Sequence, residues 1–346
     1  MRIISSLFSY IVSMGKVGAR MKYGKAAAMA GCVIAIVALV KLNGPFNDYI
    51  QAMRNTGSHS SPAYSDQTNE RLLQDIRNEA EKRKVKPIDA RVDRVWKAIP
   101  GYNGLEVDID RTYAANVSND AGAPLKLIYK EVPPAVSLND LGAQEVYRGN
   151  PNKKMVSFMI NVAWGNEFIE PILKTLEQEN VKATFFLDGS WLRNNPDLAK
   201  KIQTAGHELS NHAYNHPNMR NLSRDAQYQQ ITKTEGLLKS VLDVDDNRWF
   251  APPSGSYNSL TVSLAHSLGL RTVLWTIDTI DWQKPPASVV VSRIRSKLQP
   301  GALILMHPTA STRDALADLI KLIKSKGYQL GTVSDTLSPN RTDTGG

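Results

Sequence analysis

From Met155 to the end of the chain, short apolar runs alternate with longer stretches whose apolar residues recur at helical spacing. The apolar runs are Met155 to Ala163, Ala183 to Leu187, His207 to Leu209, Arg248 to Ala251, Thr272 to Ile277, Leu303 to Met306 and Tyr328 to Val333. Short runs of this kind, set between helical patterns, are expected to be strands of a covered sheet. Helices are expected between them at 166–180, 223–243, 258–268, 287–298 and 312–326. Strands alternating with helices build a parallel sheet. The seven runs therefore predict an α/β fold, a distorted (β/α)7 barrel slightly smaller than the eight-stranded TIM kind. In barrels of this type the polar residues at the C-terminal ends of the strands build the site.

Upstream the pattern is different. Residues 87–150 read as a small accessory domain, with Val92 and Val95-Trp96 on a helix-like stripe and a turn at Pro100-Gly101-Tyr102. Residues 69–86 are densely charged, with Leu72, Leu73 and Ile76 at helical spacing, and predict a short exposed helix. Residues 54–68 are polar and contain Ser, Gly and Pro, so 41–86 as a whole is expected to be a stalk or linker. Before it, Ala26 to Val40 is an uncharged apolar run of 15 residues between Lys25 and Lys41. A basic region at 1–25 followed by such a run predicts a single-pass membrane anchor or export signal, with the folded domain (151–338, then a tail at 339–346) outside the cytoplasm.

Net charge sharpens this picture. Of the +9 total, Arg2, Lys16, Arg20, Lys22, Lys25 and Lys41 supply +6 within the first 41 residues, which hold no Asp or Glu. The basic excess belongs to membrane topology, and no nucleic-acid partner is expected. Cys32 is the only cysteine, so an exported domain here contains no disulfide.

Candidate chemistry concentrates at the strand ends. His207 to His216 reads HELSNHAYNH and places His212 and His216 four residues apart. Four residues is one helical turn, so the two imidazoles are expected to share a face and grip one metal ion. The plainer alternative is that both bond loop carbonyls, and His207 is expected to be structural. In chain order the strand ends carry Asn161, then His212 and His216, then Pro252-Pro253-Ser254-Gly255, then Asp278 and Asp281-Trp282, then His307.

This ordered set resembles the NodB-homology polysaccharide deacetylases, carbohydrate esterase family four, over about residues 150–335. The runs MINVAWGNE, WFAPPSGSYN, WTIDTIDWQKP and LILMHPT are similar to the YlxY-type branch, which is membrane-anchored and associated with sporulation. The resemblance implies metal-assisted hydrolysis of N-acetyl groups on a cell-wall or spore glycan, peptidoglycan or another N-acetylglucosamine polymer. It implies a divalent metal (zinc or similar) held by His212 and His216. His307 matches the catalytic acid and Asp281 its orienting carboxylate, with Asp278 less favoured. Trp282 is expected to line the sugar groove, with Tyr214, Pro253, Ser254 and Trp164 as further groove candidates.

The departures point the other way. The family's Thr-Phe-Asp-Asp-Gly is here Met159-Ile160-Asn161-Val162-Ala163. Asn161 occupies the base position, and an amide takes up no proton near neutral pH. Val162 occupies the metal-carboxylate position and offers no ligand. Ala251 replaces the Arg that pairs with the base. These losses are coupled, because an Arg at 251 facing no carboxylate would be a buried unpaired charge costing several kcal/mol. Loss of a general base costs about 10² to 10⁴ in rate. The expectation is a weak deacetylase; the alternative is a catalytically inactive pseudoenzyme that binds glycan or a partner. Glu167 and Asp188 are the carboxylates near enough in sequence to stand in, and Glu167 is expected to start a helix, where the dipole favours it.

Overall fold

The structure is a computed structural model that describes residues 62–119 and 123–343. The anchor expected at 26–40 lies outside the described residues, and no helix among those described is long and apolar enough to cross a membrane. In chain order the first elements are α1 (Pro62–Arg83), β1 (Arg91–Asp93), β2 (Lys97–Ile99), β3 (Gly104–Val107), α2 (Ile109–Asn116) and β4 (Tyr129–Val132). Then come β5 (Met155–Val162), α3 (Asn166–Gln178), β6 (Thr184–Leu187), α4 (Gly189–Asn194), α5 (Pro196–Thr204), β7 (Glu208–Asn211), α6 (Arg224–Leu242), β8 (Trp249–Phe250) and α7 (Ser259–Ser267). The chain continues through β9 (Arg271–Thr272), β10 (Ile277–Asp278), α8 (Ala287–Lys297), β11 (Leu303–Met306), α9 (Ala310–Ser325), β12 (Gln329–Gly331) and α10 (Val333–Leu337).

β5 to β11 form one parallel sheet in the order β10-β11-β5-β6-β7-β8-β9, and β12 also pairs with β5. Side chains alternate across it, and the two faces have different fates. Phe158, Ile160 and Val162 of β5, with Phe185 and Leu187 of β6, point outward and pack on Ile169, Ile172 and Leu176 of α3 and on Leu316, Leu319 and Ile323 of α9. Met159 and Phe186 point inward and meet Trp249, Ala251, Val273 and Leu303. With both faces covered these strands read as continuous apolar runs, which is why they were legible. The inward face also positions the site: the next inward residues are Asn161 on β5 and Asp188 just past β6.

The run expected as one strand over 272–277 is broken. β9 stops at Thr272 and β10 starts at Ile277 because the peptide groups between them find other partners. Val146 pairs with Val273 in parallel and Arg148 with Ala302 antiparallel, and the Leu274 N–H donates to the Val146 carbonyl at 2.8 Å. The Thr276 hydroxyl donates to the Tyr147 carbonyl at 2.7 Å. Residues 146–148 thus fill the gap between β9 and β11. The upstream segment is held further by the buried Arg271, whose guanidinium donates to the carbonyls of Leu138, Gly142 and Gln144.

Other expectations need correction. Val92 and Val95-Trp96 lie on no helix; they belong to the β1–β2 hairpin, where the Asp93 carboxylate accepts from the N–H groups of Val95 and Trp96, each at 2.8 Å, and closes the turn. The helix expected over 69–86 is α1, which begins at Pro62, inside the segment read as a stalk, and buries Ile76. Helices α4 and α5 were not expected at all. Each buries only two or three residues, too few for a visible period, and what starts them is local: the Asp188 carboxylate caps α4 and Pro196 opens α5.

Candidate active site

At the end of β11 the chain delivers His307, and a turn after β10 delivers Asp281 beneath it. Asp278 builds that turn by accepting the Ile280 N–H at 2.7 Å, and Ile280 sits in the left-handed region at φ 56°. Asp278 is therefore engaged in shaping the turn. Asp281 is fully buried, and one of its oxygens lies 2.8 Å from His307 Nδ1. Its other oxygen accepts the His307 N–H at 2.6 Å and the hydroxyls of Thr312 at 2.5 Å and Thr309 at 3.4 Å. Burial opposes ionisation of Asp281, but the His307 ring, the Thr312 hydroxyl and the His307 peptide outweigh it and hold the carboxyl below its ordinary range. A carboxylate at Nδ1 fixes the proton on that nitrogen and leaves Nε2 for the cleft. Thr309 and Thr312 went unnoticed in the sequence, although Thr309 also caps α9 and a Thr-x-x-Thr at a helix start is a readable capping pattern.

Trp164 lies flat on His307, with ring centroids 5.9 Å apart and planes 6° from parallel. The contact depends on Gly165 at φ 84°, where a Cβ would come within 2.1 Å of the Pro308 carbonyl oxygen. Trp164 and Trp282 are about half exposed, 44% and 51%, and offer ring faces to solvent. Pro253 is buried in the loop after β8, which is bent by Ser254 at φ 53° and pressed against Trp275 at Gly255.

His212 and His216 are brought together, though by a turn and not a helix. Ala213 and His216 take left-handed φ values of 60° and 55°. The peptide groups between them are taken by side chains: Asn211 accepts from the Ala213 N–H, Gln230 from those of Tyr214 and Asn215, and the Thr234 hydroxyl donates to the Ala213 carbonyl. No helical ladder forms, yet the two rings meet edge to face with centroids 5.3 Å apart. His212 is buried, and its Nδ1 lies 2.7 Å from the Ala251 carbonyl oxygen. A carbonyl only accepts, so Nδ1 carries the proton and Nε2 the lone pair. Burial, reinforced by nearby His216, pushes His212 down to about 3, so the ring is neutral at working pH. A neutral imidazole with a free Nε2 is the form that ligates a metal.

Tyr214 is engaged from the helical layer. Its ring packs against the cations of Arg193 on α4 and Lys233 on α6, at 5.9 and 5.4 Å. His207 sits at the other end of β7, accepts the Ala183 N–H at 3.2 Å and is driven to about 4 by burial, as a structural ring would be. Glu167 lies in the first turn of α3 as expected.

The base side of the site is incomplete. Asn161 is buried and its Oδ1 has no hydrogen-bond partner; the same holds for Oδ2 of Asp188. Val162 is spent on the outward apolar cluster. Among the described residues no three His, Cys, Asp or Glu side chains are already drawn together as a metal site. Two imidazoles suit a divalent ion, Val162 offers no further ligand, and Asn161 Oδ1 and Asp188 Oδ2 are buried polar atoms without a protein partner.

Residues 148–273 match the polysaccharide deacetylase family. YlxY of Bacillus subtilis is 47% identical over 294 residues, covering 85% of this chain and 90% of that one. A peptidoglycan-N-acetylglucosamine deacetylase of Bacillus cereus is 32% identical over 192 residues, covering 54% of this chain and 70% of that one. A CE4 family pseudoenzyme from Bacillus anthracis has a solved structure that superposes with a TM-score of 0.72 at 43% identity, covering 79% of this chain and 96% of that one. The family match takes in the strands that lead to Asn161 and His212, and the chain belongs to the CE4 family of polysaccharide deacetylases.

Proposed function

We propose that this chain binds an N-acetylated cell-wall glycan of the peptidoglycan type beside His307 and removes its acetyl groups slowly. The observation that carries this is the asymmetry of the site: the His307–Asp281 pair is fully assembled, whereas the base position holds an amide with a buried, unpartnered oxygen. His307, its Nδ1–H held by Asp281, turns Nε2 to the cleft, where the ring, after taking a proton there from the attacking water, returns it to the departing amine. Asn161 cannot accept a proton from water, which costs about 10² to 10⁴ in rate, or roughly 3–5 kcal/mol of barrier. His212 and His216 are the residues that would hold a divalent metal, whose chemistry here is to polarise an acetyl carbonyl and acidify water. The exposed faces of Trp164 and Trp282 suit the apolar faces of pyranose rings. The B. cereus relative, named as acting on the N-acetylglucosamine of peptidoglycan, supports the glycan class.

The basic, apolar N-terminus supports a membrane-anchored or exported placement that brings the domain to the cell wall, and the YlxY-type resemblance supports a sporulation setting. A second reading, glycan binding without chemistry, is favoured by the B. anthracis relative, described as a pseudoenzyme of which a mutant has restored enzymatic activity.

Acetate release from N-acetylglucosamine oligomers and peptidoglycan tests the proposal. Slow release by the wild type, abolished by His307→Ala and raised by Asn161→Asp, is expected. Retained glycan binding with no acetate from the wild type would favour the second reading, and absence of both would overturn the two together.

A further inference from the structure

We propose that a cavity at the N-terminal ends of the strands, the end opposite His307, binds a small organic anion: an apolar body carrying a carboxylate or phosphate group. The cavity measures about 700 Å³, within the range of small-molecule sites and far more than an inorganic ion requires. One wall belongs to the barrel, where Arg248 leads into β8, Arg271 opens β9 and α10 contributes Ser334 and Leu337. The other wall is the upstream segment, through Pro100-Gly101, Pro134 and Leu138. Nothing in it depends on the glycan reading, whose residues lie at the opposite strand ends.

The charge of the lining is one-sided. Arg248, Arg271 and His266 line the cavity, and no Asp or Glu does. Glu208, behind the wall, is already engaged by the Thr184 hydroxyl, the Trp249 indole and the hydroxyl and N–H of Ser334. The Arg271 N–H donates to the Arg248 carbonyl at 2.8 Å, so the two cations start from neighbouring strands. Arg248 is exposed, and its side chain makes no hydrogen bond or ion pair among the described residues. Arg271 is only 7% exposed. Three of its guanidinium hydrogens go to the carbonyls of Leu138, Gly142 and Gln144, which leaves the Nε–H and one hydrogen on Nη2 without a protein partner. Carbonyls satisfy donors but bring no counter-charge, and burial pulls Arg271 below its ordinary range with no acidic neighbour to oppose it. A buried cation without a counter-charge costs free energy, and a bound anion removes that cost. The planar guanidinium suits a carboxylate or phosphate in particular.

The rest of the lining sets the body of the ligand. Leu138, Leu270 and Leu337 are apolar, and the Trp249 indole N–H is committed to Glu208 and Ser334, so its ring serves as apolar surface too. An inorganic ion would leave most of this volume to water, and a purely apolar ligand would leave Arg271 uncompensated. An anion on an apolar body meets both demands. The upstream segment thereby acquires a use: it closes the cavity over Arg271, whose guanidinium is tied to its carbonyls.

Calorimetric titration of the full chain with 1-naphthyl phosphate and with 2-naphthoate tests this, with 2-naphthamide as the neutral control and inorganic phosphate as the bare ion. One site per chain is expected for at least one naphthyl anion, with inorganic phosphate weaker by about tenfold or more and no binding of the amide. The tighter of the two anions names the head group. Arg248 bonds no protein group among the described residues, so Arg248→Gln should keep the wild-type melting temperature and weaken the anion about tenfold, in line with the loss of one charge-assisted hydrogen bond. Asn139→Trp, which fills the cavity from the upstream side, should abolish binding. An N-acetylglucosamine oligomer should not displace the anion. Equal affinity for the amide, undiminished binding by either variant, displacement by the oligomer, or no binding of either anion would each overturn the assignment.

Discussion

Replacing Asp281 by Asn changes one atom in a fully buried side chain that receives four hydrogen bonds. The amide keeps one acceptor oxygen. If that oxygen takes the side facing the His307 N–H and the two threonines, its NH₂ confronts His307 Nδ1, and the ring must move its proton to Nε2 and accept at Nδ1. In the opposite orientation the NH₂ is driven against the His307 N–H, a donor against a donor. Either way about two charge-assisted bonds, each worth roughly 1.5–3 kcal/mol, are weakened or lost while no water can enter, so a loss of about 3 kcal/mol is expected. For a domain of this size that lowers the melting temperature by roughly 5–10 °C. Chemical denaturation gives the free energy, and ¹⁵N shifts of the His307 ring report which nitrogen carries the proton. The sign with pH is also set. The carboxyl lies below its ordinary range, so its contribution is present above that range and fades as pH falls through the lowered value. An Asp281→Asn protein within 1 kcal/mol of wild type, with the ring proton still on Nδ1, would refute the account of the pair.

Three further outcomes follow from the same geometry. Asn161→Asp and Ala251→Arg should each destabilise the protein by several kcal/mol, because each places an unpaired charge on the inward face; the double variant should lose clearly less than the sum, and additivity in a denaturation cycle would show that the two positions do not meet. Trp164→Ala should weaken N-acetylglucosamine oligomer binding about tenfold, in line with a stacking contact of about 1 kcal/mol or more, while leaving the fold intact; equal affinity in a fluorescence titration would remove Trp164 from the groove. His207 is held near 4, below its ordinary value of 6.5, so the unfolded chain takes the proton first and stability falls as pH drops from 6.5 toward 4, by about 3 kcal/mol for this residue. His207→Gln, which keeps an acceptor for the Ala183 N–H, should flatten part of that slope in pH-dependent urea melts, and an unchanged slope would contradict the burial assigned to the ring.

Much of the barrel was legible because burial on two faces leaves a one-dimensional trace. β11 is apolar from end to end and β5 and β6 nearly so, and the helices between them show their period. The substitutions at 161, 162 and 251 were legible as letters, since an amide and two aliphatic side chains lack the chemistry of carboxylate and guanidinium wherever they sit. The His212–His216 spacing was legible too, but its meaning was not: a helix, a turn and a loop all allow two rings to meet, and Gln230 and Thr234 on α6 decided for the turn. The break at 272–277, the hairpin at 91–99, the packing of Tyr214 between two cations and the stacking of Trp164 on His307 share that character. Each depends on which distant group claims a given peptide bond or ring face. Asp188 shows the division most sharply. By itself the sequence determined that a carboxylate stands after β6. Only the register of three strands decided that it turns to the inward face shared with His212, because alternation and cross-strand neighbours exist only once the sheet has formed.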